Sequence, residues 1–205
     1  MTLGSHQKCV GKSQNHISPK RFIDRLGPFK LDPCAADPRP WSCAEVNWSV
    51  DGLIREWFGL VWLNPVFNRY EVGKWIAKLA EHGNGICLLH ARTEATWFEP
   101  IWAHAANILF LADRIKFFRP DGSEQPANSG APAILAAFGD EAASHCIAAV
   151  SPAVSSPAGT FNLHRPFATV CACKREGSCA VLERTRLCFE RRATRRRRPQ
   201  ARCSK

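Results

Sequence analysis

The chain has 205 residues, enough for one domain of ordinary size, and 45% of them are hydrophobic, so a buried core is within reach. Its formal net charge of +10 sits at one end: residues 1–150 hold 15 Lys and Arg against 15 Asp and Glu, while residues 151–205 hold 13 against 3. A neutral body excludes nucleic-acid binding through overall charge and leaves only a local basic patch for that purpose, and no run of 18 apolar residues is available to span a membrane.

In chain order, residues 1–17 are polar and aperiodic and read as a flexible arm. A short helix is expected over Pro19–Leu26, with Ser18 as its N-cap and Pro19 in the first position. Phe29–Leu31 reads as a short strand ending at Asp32-Pro33, and Pro33–Pro40 is too rich in proline to be anything but a loop. Asp51-Gly52 makes a turn into Leu53–Trp57. The run Leu60-Val-Trp-Leu-Asn-Pro-Val-Phe67 predicts a buried parallel strand, with Asn64, Pro65 and Phe67 in the loop at its carboxyl end, where open α/β sheets place their ligands.

Val72, Trp75, Ile76 and Leu79 have the spacing of an amphipathic helix over Tyr70–Glu81, ended by His82-Gly83. Gly85–Ala91 reads as a strand, Glu94–Ala105 as a helix and Ile108–Ala112 as a strand. Arg114–Phe118 alternates charged and apolar residues as a half-exposed strand does, and the turn-rich Arg119–Pro126 separates it from a last strand over Ala131–Phe138. Strands alternating with helices imply an α/β sheet with its last members antiparallel, spanning residues 18–150.

Beyond residue 150 a Ser/Pro/Ala linker leads into isolated cysteines and arginine runs without hydrophobic periodicity, so residues 151–205 are expected to be a disordered basic tail. The ten cysteines divide five and five between body and tail, and the polar start without an apolar leader gives the expectation of a cytoplasmic protein with reduced thiols. Cys87 then reads as a small core residue. Cys171, Cys173, Cys179 and Cys188 lack the spacing of common zinc sites, and no metal is expected. Trp41, near the Asp32 loop, is a candidate cleft residue.

The loop after the central strand carries the chemistry. An amide oxygen at Asn64, a carbonyl at Pro65 and an aromatic face at Phe67 would hold a planar base bearing an exocyclic amine, with two acceptors for its N–H groups and a surface for stacking. Asn-Pro is also an ordinary turn dipeptide, so the tetrapeptide alone leaves both readings open. Around it stand Ser18-Pro19, Phe29-Lys-Leu-Asp-Pro-Cys-Ala-Ala-Asp37, Asp51-Gly-Leu53 with Trp57, Trp75, Gly85-Ile-Cys-Leu-Leu-His-Ala-Arg-Thr93, Trp97-Phe98 and Leu111-Ala-Asp-Arg-Ile-Lys-Phe117.

This ordered set, over roughly residues 16 to 140, resembles the phage-type DNA N6-adenine methyltransferases. That family runs Thr/Ser-Pro, Leu-Asp-Pro-Cys/Ala-Ala, Asp-Gly-Leu…Trp, Asn-Pro-Pro-Tyr/Phe, Ala-Arg-Thr…Trp-Phe and Gly-Arg-x-x-Phe. The resemblance implies a Rossmann-like class I sheet that uses S-adenosylmethionine, with flanking helices, acting on a flipped adenine in double-stranded DNA; separately, a monomer is expected. It assigns the substrate amine to Asn64 and Pro65, base stacking to Phe67, and cofactor contacts to Ser18, Pro19, Asp32, Pro33 and Cys34. Arg92, Arg114, Lys116 and Arg119 are the expected DNA contacts, with a solvated strand face as the competing reading of the last three. His90, Arg92 and Thr93 end one strand on the same edge of the sheet and are candidates for DNA or substrate contact, but His90, flanked by Leu89 and Ala91, reads more simply as a satisfied core residue and is given no catalytic role.

Two departures stand out: Val66 replaces the family's second proline, and Asp113 replaces the glycine before Arg-Ile-Lys-Phe. Valine gives up the fixed φ of proline and adds an N–H that needs a partner. Two alternatives stay open. One is a methyltransferase acting on RNA or on protein glutamine, although such chains usually carry a glycine-rich cofactor loop that this one lacks. The other is a catalytically silent DNA-binding protein.

Overall fold

The continuous apolar runs form the middle of a sheet buried on both faces, as parallel strands sandwiched between helices must be. In the computed structural model, residues 16–68, 70–150 and 169–170 are described. All lie in the first of two compact units, Met1–Ala172, and the second, Cys173–Lys205, falls outside the described residues. The strands are β1 (Leu31–Asp32), β2 (Val46–Asn47), β3 (Val61–Leu63), β4 (Gly85–His90), β5 (Asn107–Phe110), β6 (Ala133–Phe138) and β7 (Thr169–Val170). Their order across the sheet is β2-β1-β3-β4-β6-β5-β7. The first four in that order are mutually parallel; β6 runs antiparallel to both β4 and β5, and β7 antiparallel to β5.

Side-chain alternation divides the core into two layers. Trp62, Ile86, Leu88, Leu109 and Leu135 point to one face, where α1 (Lys20–Leu26) and α4 (Asp140–Val150) contribute Phe22, Leu26, Ala142 and Cys146. Val61, Leu63, Cys87, Leu89 and Ile134 point to the other, against Val72, Ile76 and Leu79 of α2 (Val72–His82) and Ile101 of α3 (Glu99–His104). The architecture is therefore α/β with helices on both faces. Cys87 is a core residue, fully buried. No helix among the described residues is long and apolar enough to cross a membrane.

Several local expectations are corrected. Pro19, not Ser18, occupies the N-cap position of α1, without a side-chain capping bond; the Ser18 hydroxyl instead accepts from Trp62 Nε1 at 3.2 Å. The helix expected over Glu94–Ala105 is broken into a 3₁₀ turn, Thr96–Phe98, and α3, because Pro100 has no N–H to donate and its ring would collide with the carbonyl four residues earlier. Arg114–Phe118 keeps its alternation, with Ile115 and Phe117 buried and Arg114 and Lys116 exposed, but it joins no ladder of the sheet. Both edges of β6 are already taken, and Phe118 pairs instead with Ile17 and Glu124 through single bridges.

The arm expected over residues 1–17 ends earlier: Ile17 is buried and exchanges backbone hydrogen bonds with Phe118 at 3.2 and 3.0 Å. Thr169–Val170, in the stretch expected to lack structure, pairs as β7 with the otherwise open edge of β5. The rest of residues 151–205, including the arginine runs and all five tail cysteines, lies outside the described residues.

Candidate functional site

β3 stops at Leu63, two residues before a proline that cannot donate to a ladder, and the chain turns out over the carboxyl ends of the strands. β1 stops at Asp32 for the same reason, with Pro33 next. Because β1 and β3 are neighbours, the two proline-ended loops face one another across a cavity of about 190 Å³. Ser18, Asp32, Pro33, Cys34 and Asn64 all line it, so four of the five expected cofactor residues share one cavity with the expected amine-binding asparagine. Trp41 lines it too, its Nε1 donating to the Ser18 carbonyl at 3.2 Å. Pro19 is buried at the start of α1, outside this lining.

The far wall is the Asp51-Gly52 turn. Asp51 adopts φ 61°, the left-handed region that aspartate tolerates better than most residues. A Cβ on Gly52 would lie 1.9 Å from the Pro33 carbonyl oxygen, so only glycine lets this turn close against the Asp32 loop.

Asp32 is the electrostatic centre of the cleft. Its Oδ1 accepts the Cys34 amide at 3.0 Å, and the Cys43 side chain hydrogen-bonds the same carboxyl. Burial outweighs these bonds and the attraction of Arg39, and raises its pKa to about 7. Burial pushes the Cys34 thiol up to about 11 and the Cys43 thiol higher still, so both stay protonated and poorly nucleophilic at neutral pH.

Asn64 is fixed by its own amide. Nδ2 donates to the His16 carbonyl at 2.7 Å, while Oδ1 is buried with no hydrogen-bond partner among the described residues. An acceptor in that condition is costly unless something arrives to use it. Pro65 is buried behind it. Phe67 packs against both apolar layers at once, across the end of the sheet, and its ring lies flat on His90 with centroids 4.1 Å apart and planes 6° from parallel.

The expected DNA contacts divide. Arg92 and Arg114 are exposed and close enough to His90 to help lower its pKa, after burial, to about 4. Arg114 also donates to the Ser129 carbonyl at 3.4 Å. Lys116 is paired with Glu124 at 3.2 Å, and Arg119 sits beside Asp121, so half of the expected patch is partly neutralised.

His16, Arg39 and Cys43 escape sequence reasoning. His16 stands in an aperiodic polar stretch and acts through its backbone carbonyl, which every residue has. Among the described residues no group of three or more His, Cys, Asp or Glu could hold a metal ion. Comparison with protein-family models, with curated proteins and with solved structures gives no match to this chain.

Proposed function

We propose that the chain is a DNA adenine N6-methyltransferase with S-adenosylmethionine as its methyl donor. The observation that carries the reading is the meeting of Asp32, Cys34 and Asn64 on one cavity, with the Asn64 acceptor buried and without a partner among the described residues. The antiparallel β6 between parallel β4 and β5, and the position of the cleft at the carboxyl ends of β1 and β3, support the Rossmann-like sheet that the motif series implies.

The residues present fit such a cofactor. A buried carboxylate at Asp32 suits a ligand rich in amino and hydroxyl groups, and Cys34, Ala35 and Ala36 leave room beside it. The cavity, about 190 Å³, is below the roughly 300–1,000 Å³ of common small-molecule sites, so a ligand of this size extends beyond it. When bound, S-adenosylmethionine supplies an electrophilic sulfonium methyl group.

Adenine N6 is a weak nucleophile because its lone pair is delocalised into the ring. Asn64 Oδ1 and the Pro65 carbonyl accept its two N–H groups, and these bonds strengthen as positive charge develops on nitrogen, which favours the transition state over the ground state. The His16 carbonyl keeps the Asn64 amide in the required orientation by holding Nδ2. Because Oδ1 is enclosed, base entry entails a shift of the Asn64–Phe67 loop or of residues 16–18.

Extruding the base from a duplex costs roughly a few kcal/mol, and stacking on Phe67 offsets about 1–3 kcal/mol of it. Arg92 and Arg114, beside the Phe67–His90 pair, are the cations best placed for the neighbouring phosphates.

The test is incorporation of labelled methyl from S-adenosylmethionine into unmethylated double-stranded DNA, followed by nucleoside analysis. N6-methyladenine from the wild-type chain and none from Asn64→Ala is the expected result. Cofactor binding without DNA methylation would move the reading to RNA or protein amides, and absence of both would leave a silent binding protein.

A further inference from the structure

β3 and β4 are parallel with Leu63 level with Cys87, and the loop that follows β3 carries Phe67 to His90 at the end of β4. Adjacent strands lie about 4.8 Å apart, which brings two rings within stacking distance if both turn the same way. They do: the His90 and Phe67 planes differ by 6° with a 4.1 Å centroid separation. We propose that His90 is a positioning residue that backs Phe67, holding its ring so that a flipped purine stacks on the opposite face as the third layer.

This role rests on the methyltransferase reading and adds a residue to which the motif series gives none. Three features support it. Phe67 follows Val66, where the motif series expects proline, so the loop has less intrinsic stiffness to hold the ring and gains more from a lateral support. His90 is anchored in β4, whose whole length pairs with β6, so the support belongs to the sheet and not to the loop. The groups acting on His90 are Arg92, Arg114 and His16; together with burial they keep it neutral at physiological pH, so the stack adds no charge to desolvate when a base arrives.

The full chain is compared with His90→Ala, His90→Phe and Phe67→Ala in methyl transfer to unmethylated double-stranded DNA, alongside binding of S-adenosylmethionine and the chemical shifts of the His90 ring protons. In the wild type those protons are expected upfield from the Phe67 ring current, and Phe67→Ala should abolish the shift. His90→Ala should lower kcat/KM for DNA about tenfold with cofactor affinity unchanged, and His90→Phe should restore it to within about threefold.

Equal activity in His90→Ala and wild type would overturn the proposal, as would equal losses in the alanine and phenylalanine variants, which would mark a folding defect. Unshifted His90 resonances would remove the stack itself. A wild-type chain that shows the shift but transfers no methyl group would overturn the functional reading and the positioning role with it, leaving the stack as architecture.

Discussion

Asn64 Nδ2 donates to the His16 backbone carbonyl at 2.7 Å, and this one bond decides which end of the amide is left for a substrate. With the donor engaged, the acceptor Oδ1 has no partner among the described residues, as recognition of an exocyclic amine would require. Asn64→Ala is expected to abolish methyl transfer while changing affinity for S-adenosylmethionine by less than about threefold, since the proposed role of Asn64 is toward the amine and that of Asp32 toward the cofactor. Asn64→Asp is the sharper variant: it sets a carboxylate oxygen against the His16 carbonyl, and should lower stability by about 1–3 kcal/mol in denaturant titration. Full activity in either would remove Asn64 from the site.

Phe67→Ala should lower kcat/KM for DNA by about tenfold to a hundredfold, and Phe67→Tyr should stay close to wild type because the aromatic face is retained. Steady-state kinetics across DNA concentrations measures both. A tyrosine variant as impaired as the alanine one would show that the ring's environment is closed to a hydroxyl and that stacking is not its task.

Val66 brings an N–H that proline would lack, and the backbone at Val66 lies across the cleft from Cys34 and opposes the rise of the thiol pKa. The two loops that line the cleft are therefore close enough for Val66 and Cys34 to influence one another. Cys34→Ala is expected to cost about 1 kcal/mol in an otherwise wild-type chain and less in a Val66→Pro background, as coupled positions do. Val66→Pro alone is expected to leave the rate unchanged or raise it. Strict additivity in the double-mutant cycle would dissolve the coupling, and a marked loss on Val66→Pro would show a loop built differently from an Asn-Pro-Pro one.

What the sequence made legible follows from how local each signal is. The runs around Trp62, Ile86 and Ile134 announced strands because a two-sided burial forbids polar residues anywhere along them. The spacing from Val72 to Leu79 announced α2 because one helical face is buried there. The Asp32 and Asn64 loops could be read as a pair because both end strands at a proline. Arg114–Phe118 misled because alternation reports burial of one side and not the presence of a strand partner. β2, α4 and the His16 carbonyl gave no signal: Val46–Asn47 is only two residues long, α4 carries alanines where a stronger apolar stripe would mark a helix, and a backbone acceptor has no sequence signature.

Asp32 gives a pH signature. Its pKa is raised from 3.8 to about 7, so the folded chain holds a proton that the unfolded chain has released between those values. The stability this contributes is fully present below about pH 3.8 and lost as the pH rises through about 7, at most about 4 kcal/mol in all. Asp32→Asn keeps an acceptor for the Cys34 amide and carries no titrating group, so denaturant unfolding between pH 4 and 8 should show its stability advantage over wild type growing toward the alkaline end. Ligand binding should run the opposite way. A cofactor with N–H donors or a cationic group prefers the carboxylate, so affinity for S-adenosylmethionine should increase about tenfold from pH 6 to pH 8 in the wild type and stay level in Asp32→Asn. If calorimetry found the same flat profile in both, Asp32 would be a buried structural acid facing away from the cofactor, and the cleft would have to bind it through Ser18 and the loop backbone instead.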